Sequence, residues 1–119
     1  SASLVGSEMC IRDRKGEALR FSRNDHRGVT YVRQLIENLE PAMALPGGVY
    51  NFGSGNAENM VCTARQFAET LGIAVQIEEE SWGRNLVMDT TKLERFGIRF
   101  ATTQQGIQRC LKDYGLRTL

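Results

Sequence analysis

The spacing of apolar residues along the chain predicts several helices. The first is indicated by four apolar residues at three-, four- and seven-residue spacings, Val32, Leu35, Ile36 and Leu39. This spacing puts their side chains on one helix face and leaves the polar residues on the other. Thr30 can cap this helix at its start. Pro41, which lacks an amide donor, is expected to end or kink the helix near Leu39 or Glu40.

A second helix is predicted after the glycine-rich stretch at residues 53–56. Its interior consists of Met60, Val61, Ala64, Phe67, Ala68 and Leu71. Glu58 or Asn59 lies near its start, and Gly72 follows as a C-cap. This run has both the helical period and the end signals that a stable helix needs.

Two more helices are expected in the C-terminal third. Asp89 is a good N-cap for a short helix from Thr90 to Phe96, which Gly97 closes. Thr102 and Gln105 form a capping-box pattern at the start of the last helix. That helix is predicted to bury Ile107, Cys110, Leu111 and Tyr114.

Three short strands are predicted between these helices, at residues 17–23, 49–52 and 73–79. The third shows the alternation of a strand with one buried face, because Ile73, Val75 and Ile77 are separated by less apolar residues. The order is strand, helix, strand, helix, strand, helix, helix. Such alternation predicts an α/β domain, with short strands alternating with helices and a small sheet covered by them.

Length and composition limit the classes of protein to consider. The chain has 119 residues, of which 41% are hydrophobic and 24% charged, which suits one soluble globular domain. Fifteen basic and fourteen acidic residues give a net charge of +1, so nothing favours nucleic acid or a membrane surface as partner. Neither a transmembrane segment nor a signal peptide is recognisable, and we expect a cytoplasmic protein.

The cysteines favour free thiols over a disulfide framework or a metal site. Cys10, Cys62 and Cys110 are odd in number, form no CxxC pair, and have only His26 as a possible imidazole partner. We therefore expect no metal. Cys62 and Cys110 are predicted to be buried and unreactive inside helices.

Residues 1–14 are expected to be a non-native or unstructured leader. Their apolar residues are scattered without a period, and the string SASLVGSEMCIRDR resembles translated sequencing-adapter sequence. Residues 15–119 are then the functional unit.

Four loop features are candidates for chemistry. The turn at residues 53–56 lies between a strand and a helix, but Glu58 stands where a dinucleotide fingerprint needs its third glycine, which favours an ordinary tight turn. The acidic run at residues 78–80 is typical of a solvated strand end. His26 is a possible general base or a solvated side chain. Arg27 and Arg84 each adjoin a glycine on a loop. Each either binds an anion through paired hydrogen bonds of its guanidinium group or is an ordinary surface arginine.

Three segments together resemble a known family. HRGVTYVRQL at residues 26–35 is similar to the motif R-D-Y-I-H-V-x-D-L, GVYNFG at 48–53 to G-x-Y-N-x-G, and RNLVMDTTKL at 84–93 to R-P-x-x-x-x-D-T-S-K-L. In this order they resemble the C-terminal, substrate-binding part of extended short-chain dehydrogenases acting on nucleotide sugars. The dTDP-4-dehydrorhamnose reductase-like members are the most similar. Asn85 and Gln34 depart from the family's proline and aspartate.

The resemblance implies a function shared between this chain and a second domain. Arg27 and Arg84 would bind the diphosphate of a nucleotide-sugar substrate. NAD(P) would be held by a missing N-terminal dinucleotide-binding domain, since this sequence contains neither a GxxGxxG loop nor a Y-x-x-x-K pair. The chain would then be the inactive, cofactor-free fragment of an NAD(P)-dependent reductase or epimerase. The alternative is a non-catalytic regulatory or interaction module with the same α/β fold.

Overall fold

A two-stranded parallel sheet and five helices make up residues 18–116, the part of the chain that the computed structural model describes. Strand β1 (Leu19–Ser22) pairs with β2 (Ile77–Glu80), so that Leu19 lies opposite Ile77 and Ser22 opposite Glu80. The helices are α1 (Val32–Glu37), α2 (Leu39–Ala42), α3 (Met60–Leu71), α4 (Thr91–Glu94) and α5 (Thr103–Asp113). The predicted α/β class is confirmed.

The main core lies between β1 and the two long helices, α3 and α5. Its buried members are Leu19, Phe67, Ala68, Ile107 and Leu111. Ile73, Val75 and Ile77 pack against it from the segment that leads into β2. Their alternation with exposed neighbours is as predicted, although only residues 77–80 form the strand. Burial of these apolar side chains fixes the sheet on the two helices.

The predicted ends of the long helices are confirmed. The Asn59 side chain accepts a hydrogen bond from the Cys62 amide at 2.9 Å, and Gly72 ends α3 with a φ of 70°. Thr102 and Gln105 form the full capping box at the start of α5. Asp89 accepts from the Thr91 amide, as expected of a cap, but α4 covers only Thr91–Glu94.

The first predicted helix differs from the structure in its start, its end and its surroundings. Thr30 does not cap it, because the Thr30 hydroxyl accepts from the Ser54 amide instead. The helix ends at Glu37, and Pro41 lies in the first turn of α2, where no amide hydrogen is needed. No residue of α1 or α2 is buried. An amphipathic pattern normally faces a core, so the apolar face here lacks its usual cover.

The predicted strand at residues 49–52 is wrong for the described structure. Within residues 18–116 this segment pairs with no strand. Two side-chain hydrogen bonds connect the segment to the loop before α4 and to α4 itself. The Lys92 side chain donates to the Val49 carbonyl, and the Asn51 side chain donates to the Asp89 carbonyl. The sheet of the described residues consists of β1 and β2, and the segment 49–52 adds to neither of its outer edges.

The predicted burial of three side chains in the helices is also wrong. Tyr114 follows α5 and is 62% exposed. Cys62 and Cys110 are free thiols that are partly exposed. Desolvation, followed by the charge of Asp113, raises the pKa of the Cys110 thiol. Cys10 and the predicted leader at residues 1–14 lie outside the described residues.

Residues 18–116 lack two kinds of feature. No helix in this range has the length and apolar character needed to cross a membrane. Nor does the range contain a group of three or more histidine, cysteine and acidic side chains that could hold a metal ion.

Candidate functional site

The loops that follow the two parallel strands meet at the carboxyl end of the sheet. After β1 the chain turns at Ser22, whose carbonyl accepts from the Asp25 amide at 3.2 Å. The Asn24 side chain then donates to the carbonyl of Ser81, directly after β2, at 2.8 Å. In parallel α/β sheets this edge is where ligands usually bind.

A short parallel bridge between His26 and Asn85 joins the two loops. The His26 amide donates to the Arg84 carbonyl at 3.1 Å, and the Leu86 amide donates to the His26 carbonyl at 2.6 Å. Arg27 directly follows the bridged residue on one backbone, and Arg84 directly precedes the bridged residue on the other. The structure thus brings together the two loops that carry the predicted arginines.

A glycine beside each arginine lets another backbone approach closely: that of Asp25 at Gly83, and that of Ser54 at Gly28. A Cβ on Gly83, which has a φ of 127°, would lie 2.8 Å from the Asp25 amide nitrogen. A Cβ on Gly28 would lie 1.9 Å from the Ser54 carbonyl oxygen. Any side chain at these positions would overlap backbone atoms, so both glycines are required by the packing of the loops.

Asp25 holds the Arg27 guanidinium on the surface of this site. The Nε and Nη2 atoms of Arg27 donate to one Asp25 carboxylate oxygen, at 3.2 and 3.0 Å. Asp25 is only 4% exposed, whereas the Arg27 side chain is 44% exposed. The Asp25 carbonyl also accepts from the Met60 amide at the start of α3. Arg27 is therefore oriented by a buried carboxylate that also offsets part of its charge.

The Arg84 side chain is exposed and forms no hydrogen bond or ion pair with residues 18–116. Trp82, two residues earlier, is 53% exposed and donates its indole hydrogen to Glu80. Among residues 18–116, no side chain or carbonyl accepts from the donors of the Arg84 guanidinium.

Asn56 supports the site, and the sequence analysis did not single it out. It is 6% exposed and donates to the Arg27 carbonyl at 3.0 Å and to Thr63 at 2.9 Å. Its side-chain oxygen accepts from the Glu58 amide and from Gln104. An asparagine that binds an amide two residues on is a recognisable turn signal. Its other contacts connect the turn at residues 53–56 to the Arg27 loop and to α5. No local sequence pattern predicts these long-range contacts.

The three remaining candidate features of the sequence make contacts within the protein. The acidic run at residues 78–80 pairs with Arg20, Arg23 and Arg65 on the surface, as expected of a solvated strand end. The turn at residues 53–56 accepts from Thr103 through Gly55, which agrees with a tight structural turn. His26 is partly buried and makes its described contacts through its backbone.

The chain is similar in fold to part of a solved enzyme. The match is the crystal structure of the Bordetella bronchiseptica enzyme WbmH in complex with NAD+, with a TM-score of 0.61 and 18% sequence identity. It covers 87% of this chain.

The match extends over 38% of the WbmH chain, so this chain spans well under half the length of that enzyme. No family model matches the chain. No curated protein matches it either. At this identity the similarity establishes the fold, which is that of part of an enzyme solved with NAD+. The binding roles predicted for Arg27 and Arg84 remain predictions.

Proposed function

We propose that this chain is the substrate-binding lobe of an NAD(P)-dependent enzyme that reduces or epimerises nucleotide sugars. Arg27 and Arg84 bind the substrate diphosphate in this proposal. The observation that supports it most directly is the His26–Asn85 bridge, which joins the two arginine loops at the carboxyl edge of the sheet. A rigid scaffold that presents charged loops at this edge is a common arrangement for ligand binding.

The charges at this edge suit a diphosphate. Arg84 offers an exposed guanidinium with no partner among residues 18–116, and Arg27 offers one that is half exposed. Guanidinium groups bind phosphate oxygens through two parallel hydrogen bonds. Because Asp25 already offsets part of the Arg27 charge, we expect Arg84 to contribute more to affinity.

NAD(P) and the proton transfer belong, in this proposal, to a dinucleotide-binding domain. The three tyrosines of the chain are followed four residues later by Leu35, Ser54 and Thr118, so none forms a Y-x-x-x-K pair. The similarity to part of an enzyme solved with NAD+ supports this division. We therefore expect the 119-residue chain to bind the nucleotide sugar without turning it over.

Calorimetric titration of dTDP and UDP into the chain tests the proposal. Arg84→Ala should weaken diphosphate binding by about 1.5 to 3 kcal/mol, the scale of a hydrogen bond to a charged group. Arg84→Lys should recover part of this loss, because an ammonium keeps the charge but cannot make the paired hydrogen bonds.

Arg99→Ala is the matched control. The Arg99 side chain is 73% exposed, and its described ion pair is with Glu94 of α4. Its removal should leave diphosphate affinity unchanged, which separates a local site from general electrostatic attraction. Equal affinity in the wild type, Arg84→Ala and Arg84→Lys would contradict the proposal.

A further inference from the structure

A cleft between α3 and α5 lies apart from the two arginine loops. Its volume is about 430 Å³, which is the size of a pocket for a small molecule. Two buried members of the main core, Phe67 and Ile107, give it an apolar base. Its other lining residues are polar: Gln66, Glu69, Thr70, Gln104 and Gln108.

The orientation of the Gln104 side chain in this cleft is set by Asn56. The Asn56 nitrogen donates to the Arg27 carbonyl, and the Asn56 side-chain oxygen accepts from the Glu58 amide. Because a carbonyl can only accept and an amide can only donate, these two bonds fix which Asn56 atom is oxygen. Gln104 therefore binds that oxygen through its own nitrogen, at 2.7 Å. This leaves the Gln104 side-chain oxygen as an acceptor.

Gln108 is oriented in the same sense by Thr70. The Thr70 hydroxyl, which has a single hydrogen, donates to the backbone carbonyl of Gln66 at 2.9 Å. Gln108 therefore binds the Thr70 oxygen through its side-chain nitrogen, at 2.7 Å. Within residues 18–116 no donor binds the side-chain oxygen of Gln104 or of Gln108. Neither oxygen is among the buried atoms that lack a partner, so both are open to solvent.

The charge of the cleft is negative. The Glu69 side chain is exposed and forms no hydrogen bond or ion pair with residues 18–116. It lies in the last turn of α3, where the helix dipole adds a partial negative charge. No lysine, arginine or histidine lines the cleft. A carboxylate and two carbonyl oxygens without a cation favour a ligand that is positively charged and donates hydrogen bonds.

We propose that this cleft binds a small aliphatic amine in its protonated form. The ammonium group donates to the Glu69 carboxylate and to the side-chain oxygens of Gln104 and Gln108, and it has three hydrogens to give. The aliphatic chain lies over Phe67 and Ile107, as the stem of a lysine lies along an apolar surface. This site is separate from the diphosphate site proposed above and does not depend on it.

Titration of the isotope-labelled 119-residue chain with n-butylamine, followed by NMR at neutral pH and low salt, tests the inference. The backbone amides of Glu69, Gln104 and Gln108 should shift saturably, and that of Arg84 should not. A ligand of this size should bind with a millimolar dissociation constant. n-Butanol has the same chain without the charge and should bind about tenfold more weakly, because it lacks the charge-assisted hydrogen bonds.

Three substitutions at exposed positions sharpen the test. Glu69→Gln removes the charge at nearly constant size and should weaken n-butylamine binding about fivefold, the scale of an exposed ion pair. Gln66→Glu adds a carboxylate to the lining and should strengthen binding about threefold. Glu40→Gln is the matched control, because Glu40 of α2 is also exposed and unpaired within residues 18–116 and lies outside the cleft. It should leave the affinity unchanged.

The outcomes are distinct from those of the diphosphate titration. Absence of saturable shifts in the cleft, or equal n-butylamine affinity in the wild type and Glu69→Gln, would overturn the inference and leave the arginine site untouched. Tighter binding of methyl glucoside than of n-butylamine would assign the cleft to a neutral polyol and also overturn it. Cadaverine and Nα-acetyl-lysine amide present the same ammonium group. Tighter binding of the first indicates a free amine and of the second a lysine side chain of another protein, and either result supports an ammonium site.

Discussion

At the scale of single residues, the candidate site depends on a glycine that allows two backbones to approach closely and on a carboxylate that pairs with an arginine. Gly83 allows the Arg84 loop to lie against the backbone of Asp25. Asp25 in turn holds Arg27, and its own charge is tolerated at 4% exposure because the guanidinium pairs with it. The sequence points to the two arginines, but Gly83 and Asp25 determine where they lie.

Gly83→Ala should lower the free energy of unfolding by about 1 to 3 kcal/mol, the cost of a non-glycine residue held in a disfavoured backbone region. The φ of 127° and the 2.8 Å approach of a Cβ to the Asp25 amide nitrogen both oppose the substitution. Urea denaturation followed by circular dichroism measures the effect.

Gly47→Ala is the matched control for this experiment. A Cβ at Gly47 would meet no atom within 4 Å, so the substitution should change stability little. If Gly83→Ala and Gly47→Ala are equally stable, the close contact between the two loops is not present in solution.

At the scale of helices and strands, local signals decide where the long helices begin and end. Asn59, Gly72, Thr102 and Gln105 act as the sequence predicts, because a cap involves residues within three or four positions of each other. The surroundings of α1 depend instead on distant residues. Its polar side is fixed to Asp113 and Arg109 of α5, far along the chain.

Thr102→Ala should destabilise the protein by about 1 kcal/mol through loss of the cap on α5. The Thr102 hydroxyl accepts from the Gln105 amide at 3.2 Å, and alanine leaves that amide without its partner. Thermal unfolding measures the change. Thr102→Ser keeps the hydroxyl and should retain most of the stability, so a serine variant as unstable as the alanine variant would show that the methyl group, not the cap, matters.

At the scale of the whole molecule, most arginines within residues 18–116 form ion pairs, and Arg84 is one that does not. Arg20, Arg23, Arg65 and Arg109 all pair with acidic side chains. Arg84, at the carboxyl edge of the sheet, pairs with no acidic side chain within residues 18–116. In a chain with a formal net charge of +1, the anion site proposed there would favour a small charged ligand over a polyanion such as nucleic acid.

The 119-residue chain should show no hydride transfer by itself. With reduced nicotinamide and a 4-keto nucleotide sugar, we expect no loss of the absorbance of the reduced cofactor. The physical reason is the absence from the sequence of a Y-x-x-x-K pair to transfer the proton and of a glycine-rich loop to bind the dinucleotide. An active dTDP-4-dehydrorhamnose reductase serves as positive control, and turnover by the chain alone would contradict the division between two domains.

The sequence by itself determined those features whose causes are local. The α/β class, both ends of α3, the start of α5, the alternation before β2 and the solvated acidic run all follow from spacing and residue type over a few positions. The tertiary structure decided the rest, because it depends on contacts between distant segments. It brought the loops of Arg27 and Arg84 together through His26 and Asn85 and placed Asp25 beneath Arg27. It also left residues 49–52 outside the sheet and the apolar side chains Val32, Ile36 and Leu39 exposed, because pairing and burial depend on where distant segments lie.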